Sequence, residues 1–197
     1  AVGTVVSNVQ SSAGRTLGIT LSALDSSQIA EGDSIAVNGV CLTVNSLERE
    51  IARFDVSSES LARCRIADWD VGESVNLETA LTLQTPLGGH LLSGHVDGIG
   101  SIIHREEESG FTMMDFEVDQ TLGRFVAEKG SIAIDGVSLT VNSVADASSR
   151  TRFEVMLVPH TLSNTTLNEK SKGDVVHIEV DQLARYVQRI LEIKNDG

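Results

Sequence analysis

Short apolar runs recur along the chain at strand length rather than helix length. SIAV at 34–37, CLTVNSL at 41–47, ARFDV at 52–56 and SVNLE at 74–78 alternate or run apolar over four to seven residues, separated by Gly, Asn and Asp. Alternate residues of a strand share a face, so such runs predict strands with one side turned to a core. Asn38-Gly39 and Asp135-Gly136 predict two-residue hairpin turns, because both residue types tolerate positive φ. Helical periodicity shows in two places only. DQTLGRFVAEKG (Asp119 to Gly130) predicts a short helix ended by Gly130. DQLARYVQRILEIKN, from Asp181, places Leu183, Tyr186, Val187, Ile190 and Leu191 on one face with Asp181 as N-cap. Such a stripe can dock on its own domain or on another subunit.

The strand pattern occurs twice. SIAVNGVCLTVNS from Ser34 returns as SIAIDGVSLTVNS from Ser131, with ten of thirteen positions identical and an offset of 97 residues. AVGTVV and GIGSII share that offset, ARFDV and TRFEV follow at 99, and SLARCRI/TLSNTTL and VGESVNLE/KGDVVHIE at 101. Small loop insertions produce such a drift. A period this long, seen twice, is a duplicated domain and not a solenoid. Five or six short strands per copy predict an all-β fold of two tandem barrels of similar design, since closure removes exposed edges. The expected division is a first barrel over 1–92, a second over 93–179 and a terminal helix over 180–197. The second copy has SGHVD ahead of Gly98 and the first has no counterpart, so about five residues of its opening strand are expected to lie upstream of Ala1.

Composition narrows the functions. Five Phe, Trp69 and Tyr186 are the only aromatics, so Val, Ile and Leu must fill both interiors. The net charge of −13 repels phosphate backbones, and no Lys/Arg run offsets it, which argues against nucleic-acid binding. No apolar window reaches bilayer-spanning length and no signal peptide is visible. Cys41 and Cys64 make a poor disulfide framework, so a reducing cytoplasm is expected.

Chemistry concentrates where the repeats differ. Cys41 follows one predicted turn and Ser138 the other, so a thiol and a hydroxyl occupy equivalent positions. Each can be read as structural, a small buried hydrophobe and a solvated hydroxyl, or as a nucleophile-type pair. GGHLLSGHVDG (Gly88 to Gly98) holds His90 and His95 among four glycines at the junction of the repeats. They lack the partners of a zinc site, and no metal is expected. Either can be an acid/base group or a turn histidine bonded to backbone. Lys129 reads as a solvated charge and Asp181 as the N-cap. GIGS lacks the remaining glycines and βαβ context of a dinucleotide fingerprint.

Taken together, GDSIAVNGVCLTV, GGHLLSGHVD, KGSIAIDGVSLTV and the VDQ before the last helix resemble the riboflavin synthase family of the α-chain type, in its order and spacing across the chain. The family's opening segment, close to Met-Phe-Thr-Gly-Ile-Val, has no counterpart here. The resemblance implies two six-stranded Greek-key barrels and a homotrimer held by C-terminal helices. It implies an active site between the first barrel of one subunit and the second of a neighbour. The implied reaction joins two molecules of 6,7-dimethyl-8-ribityllumazine without a cofactor. One donates a four-carbon unit to the other, giving riboflavin and 5-amino-6-(D-ribitylamino)uracil.

By the same resemblance His95 transfers protons, Cys41 lies beside the ligand of the first barrel, and Ser138 and Thr140 act in the second. Lys129 faces the ring carbonyls, and Asp181 holds ribityl hydroxyls or relays protons. Further binding positions are implied at Ser34, Leu42, Thr43, Asp55, Val56, Ser57 and Ser60 around the first pocket, and at Gly94 and Val96 in the junction. Around the second they are Leu139, Val158, Pro159, His160, Thr161, Leu162 and Ser163. The Cys41/Ser138 and Asn38/Asp135 differences are where the two pockets are expected to part in role. A second reading is an antenna protein with the same double barrel, holding a lumazine or flavin without turnover. The presence of Cys41, His95, Lys129, Ser138, Thr140 and Asp181 weighs against it.

Overall fold

The structure is a computed structural model that describes residues 1–11 and 14–195. Strands β1 (Val2–Ser11), β2 (Gly14–Thr20), β3 (Ser34–Val37), β4 (Val40–Glu48), β5 (Ile51–Ser57) and β6 (Ser74–Thr79) close a barrel in the order β1-β2-β5-β4-β3-β6. Strands β7 (Gly98–Glu108), β8 (Phe111–Asp119), β9 (Ser131–Ile134), β10 (Val137–Ala147), β11 (Arg150–Leu157) and β12 (Val175–Val180) close a second barrel with the same cyclic order. All pairings are antiparallel. The expected double barrel is therefore present, with the terminal helix α4 (Gln182–Asn195).

The alternation in the sequence is the alternation in the walls. On β4, Val40, Leu42 and Val44 are buried while Cys41, Thr43 and Asn45 are exposed. Three of the scarce aromatics sit at the centres: Phe54 is fully buried in the first core, and Phe116 stacks on Phe153 at 5.4 Å in the second. Register shifts occur between Val5 and Ser7 and between Val44 and Ser46. The second barrel repeats them between Ile102 and His104 and between Val141 and Ser143. A bulge adds bend and twist, which lets a long strand wrap around a small barrel.

The two hairpin turns form as expected. Asn38 and Gly39 have φ of 44° and 79°, Asp135 and Gly136 of 46° and 79°, the two positive values of a type I′ turn. What the pattern did not show is that these turns face each other. A Cβ on Gly39 would lie 2.8 Å from the Gly136 nitrogen, and one on Gly136 2.7 Å from the Gly39 nitrogen. Only glycines let the barrels approach this closely.

A polar lattice with pseudo-twofold symmetry surrounds the paired turns. Asn38 Oδ1 accepts from the Asn76 amide at 2.6 Å, and Asp135 Oδ1 accepts from the His177 amide at 2.7 Å. Asn76 donates across the interface to the Asp135 carbonyl and accepts from the Thr166 amide, at 2.9 and 2.8 Å. His177 mirrors it, meeting the Asn38 carbonyl through Nδ1 and the Arg65 amide through Nε2, both at 2.9 Å. Because Nε2 must accept from an amide, Nδ1 carries the proton and the ring is neutral. Burial pushes the His177 pKa down, the same direction, with the Asp135 charge opposing. Asp135 is itself pushed up by burial, and Lys170 Nζ stands 4.0 Å from its Oδ2. The Asn38/Asp135 difference, expected to separate two chemical roles, thus lies in the interface: both side chains are buried and bonded to backbone amides.

The expected helix over Asp119–Gly130 shrinks to one turn, α2 (Gln120–Gly123), capped by Asp119. Gly123 is pressed against Thr151, and the following segment instead turns toward β10. Lys129, not Gly130, takes the left-handed backbone at φ 62°, held by its amide donating to the Val141 carbonyl at 2.8 Å. No helix among the described residues is long and apolar enough to cross a membrane.

Candidate active site

Between the barrels and beneath the linker 80–97 lies a cavity of about 510 Å³. Ser34, Ala36 and Cys41 line it from the first barrel, Val137 and Ser138 from the second, and Gly88 to His90 with Ser93 and Gly94 from the linker. Of the residues singled out in the sequence, the fold therefore brings Ser34, Cys41, His90, Gly94, Asp135 and Ser138 to one space within one chain.

The linker is pinned at both copies of the turn. At the first barrel the Cys41 amide donates to the Gly94 carbonyl at 2.8 Å, and a Cβ on Gly94 would lie 2.6 Å from Cys41 Cβ. At the second, a Cβ on Gly89 would run into Ser138, whose Oγ receives the His90 amide at 3.2 Å and meets His90 Nδ1 at 2.8 Å. Buried Glu179 on β12 holds the stretch between: Oε1 accepts from the Ser93 amide and hydroxyl, both at 2.8 Å, and Oε2 from the Gly94 amide at 3.1 Å. A buried carboxylate with three such donors is well satisfied. Glycines at 89 and 94 thus let a backbone lie flat on each repeat's thiol or hydroxyl position.

Helix α4 is tied to the same linker. Asp181 caps it, Oδ1 accepting from the Leu183 amide at 2.9 Å, as its position in the sequence predicted. Arg185 grips Asp97 with both guanidinium nitrogens at 2.8 Å and donates to the His95 carbonyl at 2.9 Å. Burial raises the Asp97 pKa, and its bonds to the Val180 amide and Arg185 act against that rise. The predicted apolar stripe faces solvent: Leu183, Tyr186, Val187, Ile190 and Leu191 are 49–73 % exposed.

Other anticipated positions lie outside the cavity. His95, Lys129, Thr140 and Asp181 do not line it, and the first three are exposed. Thr43, Asp55 and Ser57 are exposed on the outer face of β4 and β5, and Ser60 lies beyond them, in α1 (Ser58–Arg63). There Asp55 accepts from Thr16 at 3.1 Å and Asn45 at 2.9 Å. The second barrel copies this pair as Asn142 donating to Glu154 at 3.2 Å. Leu42 and Val56 point into the first core, and Val96 packs against it. Leu139 and Leu162 pack against the second core, while Val158, Pro159, His160 and Ser163 are exposed and Thr161 half-buried around α3 (Pro159–Asn164).

Lys129 carries a further signal. Its counterpart in the first repeat is Gly32, at φ 93° with the matching bond from its amide to the Val44 carbonyl. A non-glycine residue held left-handed costs about 1–3 kcal/mol and concentrates at functional positions. Among the described residues no group of three or more His, Cys, Asp or Glu side chains comes together to hold a metal.

The family model described as the lumazine binding domain matches the chain twice, over residues 1–80 and 93–181. Riboflavin synthase of Brucella abortus is 42% identical over 175 residues, spanning 86% of this chain and 85% of that protein. The chain belongs to the riboflavin synthase family. The enzyme of Photobacterium phosphoreum is 38% identical over 97% of this chain and 86% of its own length. That of Mycobacterium bovis is 44% identical over 81% of this chain and 80% of its own. Among solved structures, LumP complexed with 6,7-dimethyl-8-(1′-D-ribityl) lumazine superimposes with a TM-score of 0.80 over 91% of this chain and 95% of that one. At 21% identity this likeness speaks for the fold alone. The double match of the family model agrees with the duplicated barrel.

Proposed function

We propose that this chain is a riboflavin synthase, a transferase that converts two molecules of 6,7-dimethyl-8-ribityllumazine into riboflavin and 5-amino-6-(D-ribitylamino)uracil. The observation that carries this reading is the double barrel itself. Two copies of one ligand need two similar cradles, and the repeated turns place Cys41 and Ser138 at equivalent points of two barrels with one topology. Family relatives bearing this activity by name span most of the chain.

One lumazine gives up a proton from its 7-methyl group and the other takes up a nucleophile at C7 before the two condense. Identical surroundings cannot favour both states, so the thiol of Cys41 and the hydroxyl of Ser138 serve different partners. Holding both ligands face to face makes the step effectively unimolecular, worth about 7–11 kcal/mol when well oriented. His95, exposed at the end of the linker, transfers the proton. Lys129 stabilises negative charge on the ring carbonyls, which gives a reason to keep a lysine in a left-handed position. Thr140 bonds the ligand of the second barrel, and Asp181 the ribityl hydroxyls.

The open outer faces of β4, β5 and β10 support an active site completed by a neighbour, first barrel against second. The exposed stripe of α4 supports a homotrimer packed through these helices, because an apolar face of this size is rarely left in water. Two free cysteines agree with a reducing, cytoplasmic setting. Incubating the purified protein with the lumazine tests the reaction. Riboflavin fluorescence should grow with one riboflavin formed per two lumazines lost. Stable lumazine binding without product would overturn the reading in favour of a ligand-holding antenna.

A further inference from the structure

His90 has no part in the reaction as written above, yet it is bonded twice to Ser138. Its amide donates to Ser138 Oγ at 3.2 Å and its Nδ1 lies 2.8 Å from the same oxygen. On the Cys41 side no such pair occurs among the described residues: there the linker's hydrogen bond runs from the Cys41 amide to the Gly94 carbonyl. The equivalent thiol and hydroxyl therefore differ in their attachment as well as in their element.

The contact holds the Ser138 hydroxyl at two points of one residue. Ser138 Oγ already accepts from the His90 amide, so in the tautomer with Nδ1 bare, donating its own proton to Nδ1 completes a cyclic pair that leaves one lone pair of Oγ directed elsewhere. Burial lowers the His90 pKa, although Asp181 before α4 and Glu179 on β12 oppose the fall; this favours the neutral ring, whose Nε2–H tautomer accepts at Nδ1. With Nδ1 accepting, the neutral ring carries its proton on Nε2, a buried nitrogen with no partner among the described residues. Gly89 preceding it has no side chain to keep the linker off Ser138.

We propose that His90 is a positioning residue for Ser138: it draws the hydroxyl proton onto Nδ1 and presents the oxygen lone pair to the lumazine of the second barrel. This rests on the lumazine reading above. The pair acts as a unit, so its members cannot be removed independently.

The test is a double-mutant cycle on the full-length protein with His90→Ala, Ser138→Ala and both together, reading kcat/KM for the lumazine and its Kd by fluorescence. Each single change should lower kcat/KM about tenfold or more, and the double change no further than Ser138→Ala alone. His90→Asn supplies an uncharged acceptor near the place of Nδ1. It should restore most of the activity and abolish the loss of rate expected in the wild type when acid protonates His90. Additive losses, a His90→Ala effect below twofold, or an acid limb unchanged in His90→Asn would each overturn the proposal. If the wild type binds lumazine but makes no riboflavin, the functional reading fails. The same cycle in Kd then decides the pair: coupling supports it, additivity refutes it.

Discussion

His177 sits where the two barrels meet, and its replacement tests whether the polar lattice holds them together. The ring donates to the Asn38 carbonyl and accepts from the Arg65 amide, both at 2.9 Å, with Trp69 5.8 Å away. His177→Ala leaves a buried carbonyl and an amide without partners. At about 1–3 kcal/mol for each orphaned group, the loss is about 2–6 kcal/mol. The repeat itself suggests the control, because Asn76 performs the same two tasks from the mirrored position. His177→Asn should recover the hydrogen-bonding part and lose only ring packing.

The pH dependence carries a sign. Burial lowers the His177 pKa in the fold, so as pH falls through the ordinary imidazole value of about 6.5 the unfolded chain binds a proton that the native state refuses. Stability is therefore complete above that value and declines below it, by at most about 1.4 kcal/mol per pH unit, until the folded pKa is passed. Asp135 acts in the opposite direction: burial raises its pKa, so its contribution is present at acid pH and is lost as pH rises through that raised value. Guanidinium unfolding from pH 4.5 to 8 on wild type, His177→Ala and His177→Asn separates these effects. The Asn variant should show a flatter decline below about pH 6.5. A cost under about 1 kcal/mol for His177→Ala, or an unchanged acid slope in His177→Asn, would refute the assignment.

Gly136→Ala should cost about 1–3 kcal/mol, since it combines φ 79° with a Cβ 2.7 Å from the opposing turn, and thermal unfolding will show it as a lowered Tm. Lys129→Gly should leave stability unchanged or raised by about 1 kcal/mol while turnover falls; a parallel loss of both would mean that Lys129 is structural. Cys41 is exposed, whereas Cys64 is half-buried with its pKa raised by burial, so a thiol reagent at neutral pH should modify Cys41 first. Intact-mass analysis reads the order, and bound lumazine should slow the Cys41 reaction.

Much of the architecture was legible along the chain because strand alternation and type I′ turns are local codes. Val40, Leu42 and Val44 against Cys41, Thr43 and Asn45 already state which side of β4 is inside. Asn-Gly and Asp-Gly state where the chain reverses, and a second copy of the pattern states that there are two barrels. The N-cap at Asp181 is local too, and it formed as read. The helix expected up to Gly130 failed for a non-local reason: Gly123 against Thr151 and the Lys129 amide on Val141 make the segment follow the barrel instead.

The site needed the third dimension. His90 and His95 were equivalent as letters among glycines, but one reaches Ser138 at 2.8 Å and the other is exposed with its carbonyl on Arg185. Asn76, His177 and Glu179 read as ordinary strand positions, since nothing local says that a strand will be buried against a second barrel. Residues 38 and 177, 139 positions apart, meet only because two glycine turns can touch. Sequence alone determined the duplicated barrel and the chemical difference between Cys41 and Ser138, because patterning and residue type travel with the chain. Tertiary structure decided which histidine touches which nucleophile and that Asp135 serves the interface, because long-range contacts depend on how two closed surfaces pack.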